Sequence, residues 1–318
     1  MAQKANTFDS YDAVGIREDL SDVITNISPE ETPFYSTCRK TKATNTLHEF
    51  QTDSLRASAD NAHIEGDETT AEARTATSRI SVRTQIFKNA VTVPDTSEAL
   101  DSAGRAQEMG YQVLKVAKEQ KLDIERALFL NQATVAGSST VARKLPGAGS
   151  WVATNTDHGA NEGADPTGDG SDARTDETTT LIAFSQTRFD GVMESIWEQG
   201  GTPQTVYLSA FQMTKALAFA GNNNQRSQIA AEAGKVSNYM AVYLTPWGEV
   251  TFVPSRQIRS RDVYIMQDDM WEVPVLRPTK NVALSKTGDN STRQVTTELS
   301  LICKAENANG GIFDNTTS

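Results

Sequence analysis

The sequence predicts a mixed α+β fold with a mostly antiparallel sheet. Two features lead to this class. Short runs of alternating apolar and polar residues, bounded by turn signals, fill the second half of the chain, and a long amphipathic helix precedes them. Helices and strands that are segregated along a chain, instead of alternating as βαβ units, are typical of antiparallel α+β proteins.

The composition indicates an acidic chain with a modest core. The 318 residues are 37% hydrophobic and 7% aromatic, and their formal net charge is −11. Proteins that grip nucleic acid by neutralising phosphates carry a basic surface, whereas the densest basic cluster here is only Arg39, Lys40 and Lys42. Such a protein can still enclose DNA without holding it tightly.

The expected compartment is the cytoplasm of the producing cell. Two cysteines, Cys38 and Cys303, lie far apart in the sequence, which argues against a disulfide framework and fits a reducing environment. The amino terminus has no apolar signal-peptide core, and no run approaches the ~18 apolar residues of a membrane span. We therefore expect neither secretion nor membrane insertion.

The amino-terminal residues predict an arm. Apolar residues recur at helical spacing from Ile16 to Ile27, and Pro29 ends this helix because the residue before proline disfavours the α region. An extended Glu-Thr-Pro-Phe segment follows at 31–34. A short helix joined to an extended segment makes a poor domain by itself, so we expect it to lie on another element.

Two predicted strands flank a long polar segment. Residues 46–54 predict the first strand and residues 79–88 the second. Residues 52–79 contain only two large aliphatic side chains, Leu55 and Ile64, so this segment is either a solvated loop or a long hairpin that projects from the body. The residues expected on one face of the second strand are Ile80, Val82, Thr84 and Ile86.

Charges in the polar segment are sorted along the chain. Acidic residues come first and arginines follow, as expected if opposite sides of a hairpin face each other or a neighbour. We hypothesise that the acidic residues meet basic residues of an adjacent subunit. The candidate inter-subunit residues are Glu65, Asp67, Glu68, Arg74, Arg79 and Arg83.

A long helix and a second polar segment come next. The helix spans about 105–132 and is roughly 40 Å long at a rise of ~1.5 Å per residue. Residues 136–178 are rich in glycine, aspartate, threonine and serine, and a structureless segment of this length is uncommon inside a compact domain. It predicts a surface flap or another inter-subunit element. The apolar stripe of the helix consists of Met109, Val113, Val116, Ile124 and Leu128.

The remaining chain predicts a denser body. A helix at 180–199 ends at Gly200-Gly201, a strand follows at 205–208, and Ser209 caps a helix at 210–220. Pro246-Trp247-Gly248 lies at a predicted hairpin turn. Further strands are expected at 237–244, 250–254, 262–267, 271–276 and 294–303.

No catalytic, cofactor-binding or metal-binding motif is found. Gly168 to Ala173 fits a loose dinucleotide-binding pattern, but it neither follows a strand nor opens a helix, as that mechanism requires. The histidines share no ligand-like spacing. Asp165, Asp169 and Asp172 miss the spacing of an EF-hand loop. We therefore expect a structural protein and not an enzyme.

Several short segments, in order, resemble one family of tailed-phage major capsid proteins. Arg17 to Ile24, Asn26 to Pro29 and Glu31 to Phe34 resemble its amino-terminal arm. Thr44 to Leu55 resembles the segment that opens its projecting loop. Three later segments resemble the family's carboxy-terminal strands, namely Leu276 to Thr279, Lys286 to Asp289 and Glu298 to Leu301.

This resemblance covers most of the chain and implies the Hong Kong 97-type capsid fold. On that template, residues 1–45 are the N-terminal arm and 46–90 the extended E-loop. Residues 91–179 are the first part of the P-domain, with its spine helix and the polar insertion. Residues 180–260 form the A-domain, and 261–318 supply the return strands of the P-domain and the carboxy terminus.

The resemblance also implies a function. Copies would assemble as hexamers and pentamers into the icosahedral head of a phage, enclosing double-stranded DNA without sequence-specific binding. Implied partners are a portal protein, a decoration protein and a separate scaffolding protein, since the arm begins by residue 16 and leaves no room for the founding member's cleaved scaffolding segment. Residues 52–79 contain no lysine and Lys88 lies at the loop's base, so we expect no covalent crosslink of the founding member's type.

Three other functions compete with this one. Another phage structural protein, such as a tail-tube subunit, would form rings or rods. A surface binding module and an enzyme of unrecognised type are the remaining alternatives.

Overall fold

The computed structural model describes residues 31–68, 71, 73–100, 107–159, 163–219 and 242–317. The predicted arm helix and the predicted strand residues 237–241 lie outside these ranges. The helices are α1 (Pro33–Thr37), α2 (Asp95–Ala99), α3 (Glu108–Phe129), α4 (Gln186–Glu198) and α5 (Ala210–Ala216). The strands are β1 (Arg39–Lys42), β2 (Leu47–Thr52), β3 (Ser78–Arg83), β4 (Gln85–Pro94), β5 (Thr156–Asp157), β6 (Thr205–Leu208), β7 (Val242–Thr245), β8 (Gly248–Pro254), β9 (Val263–Met266), β10 (Trp271–Ala283), β11 (Asn290–Leu299), β12 (Ile302–Cys303) and β13 (Gly310–Ile312).

The strands form a five-stranded sheet, a six-stranded sheet and the β2–β3 hairpin. Most strand pairs are antiparallel, which confirms the predicted α+β class. In the five-stranded sheet the order is β1–β10–β11–β4, with β12 also paired to β10. The strand predicted at 271–276 continues to Ala283, because its outer half pairs with β11 although its side chains are exposed and show no apolar alternation.

Helix α3 lies against one face of the five-stranded sheet. Ile124 and Leu128 are buried as predicted, whereas Met109, Val113 and Val116 are only half-buried. Gln120 is buried in the middle of this contact. Its amide nitrogen donates to the backbone oxygens of β4 and β11 at 3.1 Å each, so a polar side chain fixes the helix to the sheet without an unpaired donor.

The six-stranded sheet has the order β5–β13–β9–β6–β8–β7. Helices α4 and α5 pack on it around a second apolar core that includes Phe189, Ile196 and Phe252. Ser185 and Ser209 cap the two helices, and Gly200 ends α4 at φ +89°. The helix predicted at 180–199 begins only at Gln186, because Ile182 instead forms a bridge to Asn315.

The six-stranded sheet takes strands from both sides of residue 260. Strands β5, β9 and β13 lie outside the 180–260 block, yet they pair within this sheet. A division at residue 260 therefore does not separate the two sheets. The chain returns to the six-stranded sheet after completing β12 of the five-stranded sheet.

The single strand predicted at 79–88 is two strands in two different sheets. Thr84 separates them, and its hydroxyl donates to Glu298 Oε1 at 2.8 Å while its N–H donates to Thr46 O at 3.0 Å. The change of sheet leaves Ile86 46% exposed and buries Phe87, so the prediction that Ile86 shares the buried face of Val82 is wrong. The alternation of apolar and polar residues continues from β3 into β4. This pattern therefore could not show where one strand ends and the next begins.

The predicted flap at 136–178 is wrong for its central part. Leu145, Ala148, Trp151 and Val152 are fully buried in the main core, which also contains α3 and β10 side chains. Gly147 permits this packing, because a Cβ there would lie 1.9 Å from the carbonyl oxygen of Leu130. The segment's few large apolar residues converge in one short stretch, which its polar composition concealed.

Among the helices of the described ranges, none has the length and apolar character of a membrane span.

Candidate inter-subunit surface

Residues 53–77 between β2 and β3 form the projecting loop. The strands pair from Leu47 with Arg83 to Thr52 with Ser78, so both limbs of the loop leave the body side by side. Every described residue of the loop (53–68, 71 and 73–77) is exposed. At ~3.3 Å per residue, limbs of about a dozen residues reach at most about 40 Å. The structure thus has a paired base, as the hairpin interpretation expects, and an exposed segment without strands in the described part of 53–77, as the solvated-loop interpretation expects.

A turn forms the tip of the loop. The N–H of Asp67 donates to Ile64 O at 3.1 Å, and Gly66 adopts φ +86°, which glycine tolerates better than other residues. Glu65, Asp67 and Glu68 are exposed around this turn, and Asp67 lies 3.6 Å from the ring of His63. The three predicted acidic contact residues therefore sit together at the far end of the loop.

The three arginines occupy other positions. Arg74 is exposed on the returning limb, and Arg79 in β3 pairs with Glu49 at 3.0 Å. Arg83 ends β3 at the base, where its backbone N–H donates to Thr134 Oγ1 at 3.0 Å. No ion pair among the described residues joins these arginines to the tip acids, so the sorted charges do not neutralise each other across the hairpin.

The loop also exposes two large aliphatic side chains. Leu55 is 99% exposed and Ile64 is 84% exposed. The sequence signal for them was present, because they are the only large aliphatic residues between 52 and 79. An isolated exposed aliphatic residue is ordinary, but two on a loop with no packing of its own are typical of a surface that another molecule covers.

The base of the loop is held rigidly by Glu298 of β11. Its carboxylate is 4% exposed and accepts hydrogen bonds from Arg143 at 2.6 Å, Arg277 at 2.7 Å and Thr84 at 2.8 Å. These partners come from the insertion, from β10 and from the junction between β3 and β4. Glu298 therefore fixes the direction in which the loop leaves the body.

We expect Glu298→Gln to lower the free energy of unfolding by about 2 kcal/mol, since an amide cannot accept from two guanidinium groups and a hydroxyl at once. Chemical denaturation of the unassembled protein measures this. The exposed Glu249→Gln is the matched control and should change stability by less than about 0.5 kcal/mol. Equal denaturation midpoints for the two variants would rule out the anchoring role.

A second anchor joins α1 to α3. Glu125 is fully buried and accepts the N–H groups of Phe34 at 3.0 Å and Tyr35 at 2.7 Å. Burial raises the pKa of its carboxyl group to about 7, although the two N–H donors oppose this shift. Phe34 itself stacks on Phe129, with ring centroids 4.9 Å apart.

The face of the five-stranded sheet opposite α3 is exposed. Cross-strand neighbours share a face, and Lys88, Thr296 and Lys280 are paired in one row across β4, β11 and β10. The hydroxyls of Thr92 and Thr292 meet at 2.9 Å on the same side. We call this surface the outer face; its exposed residues are Ile86, Lys88, Ala90, Thr92, Lys280 and Val282.

Within the described residues, no group of three or more histidine, cysteine or acidic side chains could hold a metal ion. The oxygens of Asp169 and Asp172 instead accept the hydroxyl of Thr167, each at 2.7 Å. Both cysteines are buried, and burial raises the pKa of each thiol far above its usual range.

The architecture combines a sheet packed on a long helix, a second sheet and a projecting loop. The fold is similar to the capsid of Cyanophage A-1(L), with a TM-score of 0.68, 11% identity and coverage of 95% of this chain and 98% of that one. It is also similar to the capsid of Cyanophage P-SCSP1u, with a TM-score of 0.61, 10% identity and coverage of 98% and 100%. The fold is therefore the Hong Kong 97-type capsid fold.

The chain belongs to the SU10 major capsid protein family, whose model matches residues 2–316. It is 27% identical to the major capsid protein of Escherichia phage Phieco32, over 96% of each chain. The protein thus has a structural role in a phage head, as a repeated component of the capsid shell. Membership of a major capsid protein family excludes the alternative that the protein is a tail-tube subunit.

Proposed function

We propose that copies of this chain assemble as hexamers and pentamers into an icosahedral head that encloses double-stranded DNA. The observation that carries the proposal is the projecting loop, whose described residues are all exposed on the isolated subunit. Ordering such a loop costs conformational entropy, which contacts in a closed lattice of neighbours can offset.

Electron microscopy of the overexpressed protein tests this proposal. We expect capsomers and closed particles with fivefold and sixfold vertices. A variant lacking residues 57–73, with its limbs joined by a short glycine-serine linker, should remain folded and fail to close shells. Rings stacked into rods, or normal shells from the shortened variant, would contradict it.

We further propose a correspondence between the elements and the capsid domains. Residues 1–45 act as the arm and 46–90 as the E-loop with its base. Helix α3 and the five-stranded sheet form the P-domain, and the six-stranded sheet with α4 and α5 forms the A-domain. The A-domain then takes strands from outside residues 180–260, in contrast to the block predicted from the sequence.

The proposed partners follow from the role in the head. They are other copies of the chain, a portal protein, a separate scaffolding protein and a decoration protein. One similar solved structure, of phage G, contains major capsid and decoration proteins together, which supports the decoration protein as a partner. We propose that the chain is synthesised in the host cytoplasm. The acidic net charge of −11 fits enclosure of DNA without sequence-specific contacts.

We also propose where the loop tip binds. The acids Glu65 and Glu68 form no ion pair within the described chain, and neither do Lys88 and Lys280 of the outer face. The two sets are complementary in charge, and both surfaces are exposed. In this proposal the tip of one copy lies on the outer face of the next copy, where Ile64 can pack against exposed aliphatic side chains such as Val282.

A further inference from the structure

His158 links the polar insertion to the carboxy-terminal segment through both of its ring nitrogens. Its Nδ1 lies 2.8 Å from Asp314 Oδ2, and its Nε2 lies 2.8 Å from Asp165 Oδ1. The imidazole is 7% exposed. A neutral imidazole donates one hydrogen bond only, so the second nitrogen would face a carboxylate oxygen with no proton between them.

Both partners of the ring are carboxylates. Asp314 is fully buried and also pairs with Arg261 at 2.6 Å. Asp165 is 36% exposed. Two carboxylates at hydrogen-bond distance favour the doubly protonated imidazolium, which can donate to both.

His158 lies beside a network of further ion pairs. An adjoining buried network contains Arg174, which pairs with Asp176 at 3.2 Å and with Asp262 at 2.9 Å. The guanidinium of Arg174 also lies over the ring of Phe313 at 3.5 Å. Four cations then face four carboxylates: His158, Arg174, Arg259 and Arg261 against Asp165, Asp176, Asp262 and Asp314.

One further carboxylate lies beside this network. Glu177 donates its backbone N–H to Asp314 Oδ1 at 3.2 Å, while its own carboxylate accepts from Thr178 and Thr179. It is thus satisfied locally. Asp157, the neighbour of His158 in the chain, pairs with Arg188 at 3.0 Å. The two carboxylates that His158 touches favour its charged form, and the guanidinium of Arg174 opposes it.

We propose that His158 is a proton-dependent clasp, which in its doubly protonated form holds Asp165 of the insertion to Asp314 of the carboxy-terminal segment and on losing a proton loses one of these two hydrogen bonds. Residues 153–157 are held in either state, because Thr156 and Asp157 pair with β13 and Glu306 accepts the N–H groups of Ala153 and Thr154. The clasp therefore acts on the insertion around Ala164 and Asp165. Gly163 packs closely against the imidazole, since a Cβ at this position would lie 2.4 Å from His158 Nδ1. The clasp acts within one chain and does not depend on how copies assemble.

The direction of the pH response follows from the pKa of His158. Burial alone would lower this pKa, but the hydrogen bonds to Asp165 and Asp314 outweigh burial and raise it above the ordinary value. We call the state with both hydrogen bonds of His158 the closed form and the state without them the open form. A group whose pKa is higher in the closed form than in the open form stabilises the closed form at low pH. The stabilisation is complete below the pKa of the open form, about 6.5, and is lost as pH rises through the pKa of the closed form.

Hydrogen–deuterium exchange with mass spectrometry tests the clasp in the full chain. Exchange at the imidazole C2 carbon reports the titration of each histidine, and we expect His158 to titrate at higher pH than His48, whose pKa is lowered by burial. The N–H of Thr175, which donates to Ala164 O at 2.9 Å, reports on the insertion beside Asp165. Its amide protection factor should fall as pH rises above about 6.5, by about tenfold if the two pKa values differ by one.

Two matched variants of the insertion separate the clasp from a general pH effect. Asp165→Asn should lower the titration midpoint of His158 and flatten the pH dependence of the protection factor. Asp172→Asn removes a half-buried carboxylate that binds Thr167 and not the histidine, so both readouts should stay at their wild-type values. A His158 midpoint at or below that of His48, or equal behaviour of the two variants, would overturn the proposal.

Discussion

Changing Glu65, Asp67 and Glu68 together to lysine is expected to reduce the yield of closed particles at least about tenfold while leaving the subunit folded. The three residues are exposed at the loop tip. An exposed ion pair contributes only ~0–1 kcal/mol, so a single change is expected to be silent. Three reversals per copy replace attraction by repulsion at every contact of the lattice, and a loss of ~1.4 kcal/mol already corresponds to a factor of ten.

Particle yield is measured by sedimentation and electron microscopy after coexpression with the other head proteins. The neutral variant Glu65→Gln, Asp67→Asn, Glu68→Gln should lie between wild type and the lysine variant. Reversal of the outer face, Lys88→Glu with Lys280→Glu, should partly restore assembly of the lysine variant. Normal yield from the lysine variant would reject the tip contact. Failure of the restoring pair alone would reject the outer face as its receptor.

Trp151→Ala is expected to lower the free energy of unfolding by about 4 kcal/mol, the loss typical of removing a large aromatic side chain from a core. Trp151 lies within the polar insertion, yet it is fully buried, and its ring centroid is 6.2 Å from that of Phe50 in β2. Its indole nitrogen has no hydrogen-bond partner, so the loss comes from packing. The variant should also loosen the base of the projecting loop.

Chemical denaturation of the unassembled subunit measures the effect. Val141→Ala is the matched control, because Val141 belongs to the same insertion but is 52% exposed, and it should cost less than about 0.5 kcal/mol. A loss for Trp151→Ala no larger than that of the control would mean that the insertion is a dispensable flap after all.

Local patterns in the sequence specified the elements whose stability depends on near neighbours. The spacing of Ile124 and Leu128 predicted the buried half of α3, and Ser209 predicted the cap of α5. The scarcity of aliphatic residues between 52 and 79 predicted a segment without a core of its own. In each case the cause lies within a few residues along the chain, in helical period, capping or composition.

The tertiary structure decided what depends on distant residues. Glu298 bonds to Arg143 and Thr84, and this long-range contact determines where one strand becomes two. His158 gains its two carboxylate partners only when Asp314 is brought back beside the insertion. Apolar residues such as Trp151 look isolated in a polar segment until the core assembles around them. Hydrogen bonds and packing between residues far apart in sequence leave no local period, so the sequence alone determined the class and the loop, and the fold determined the anchors and the clasp.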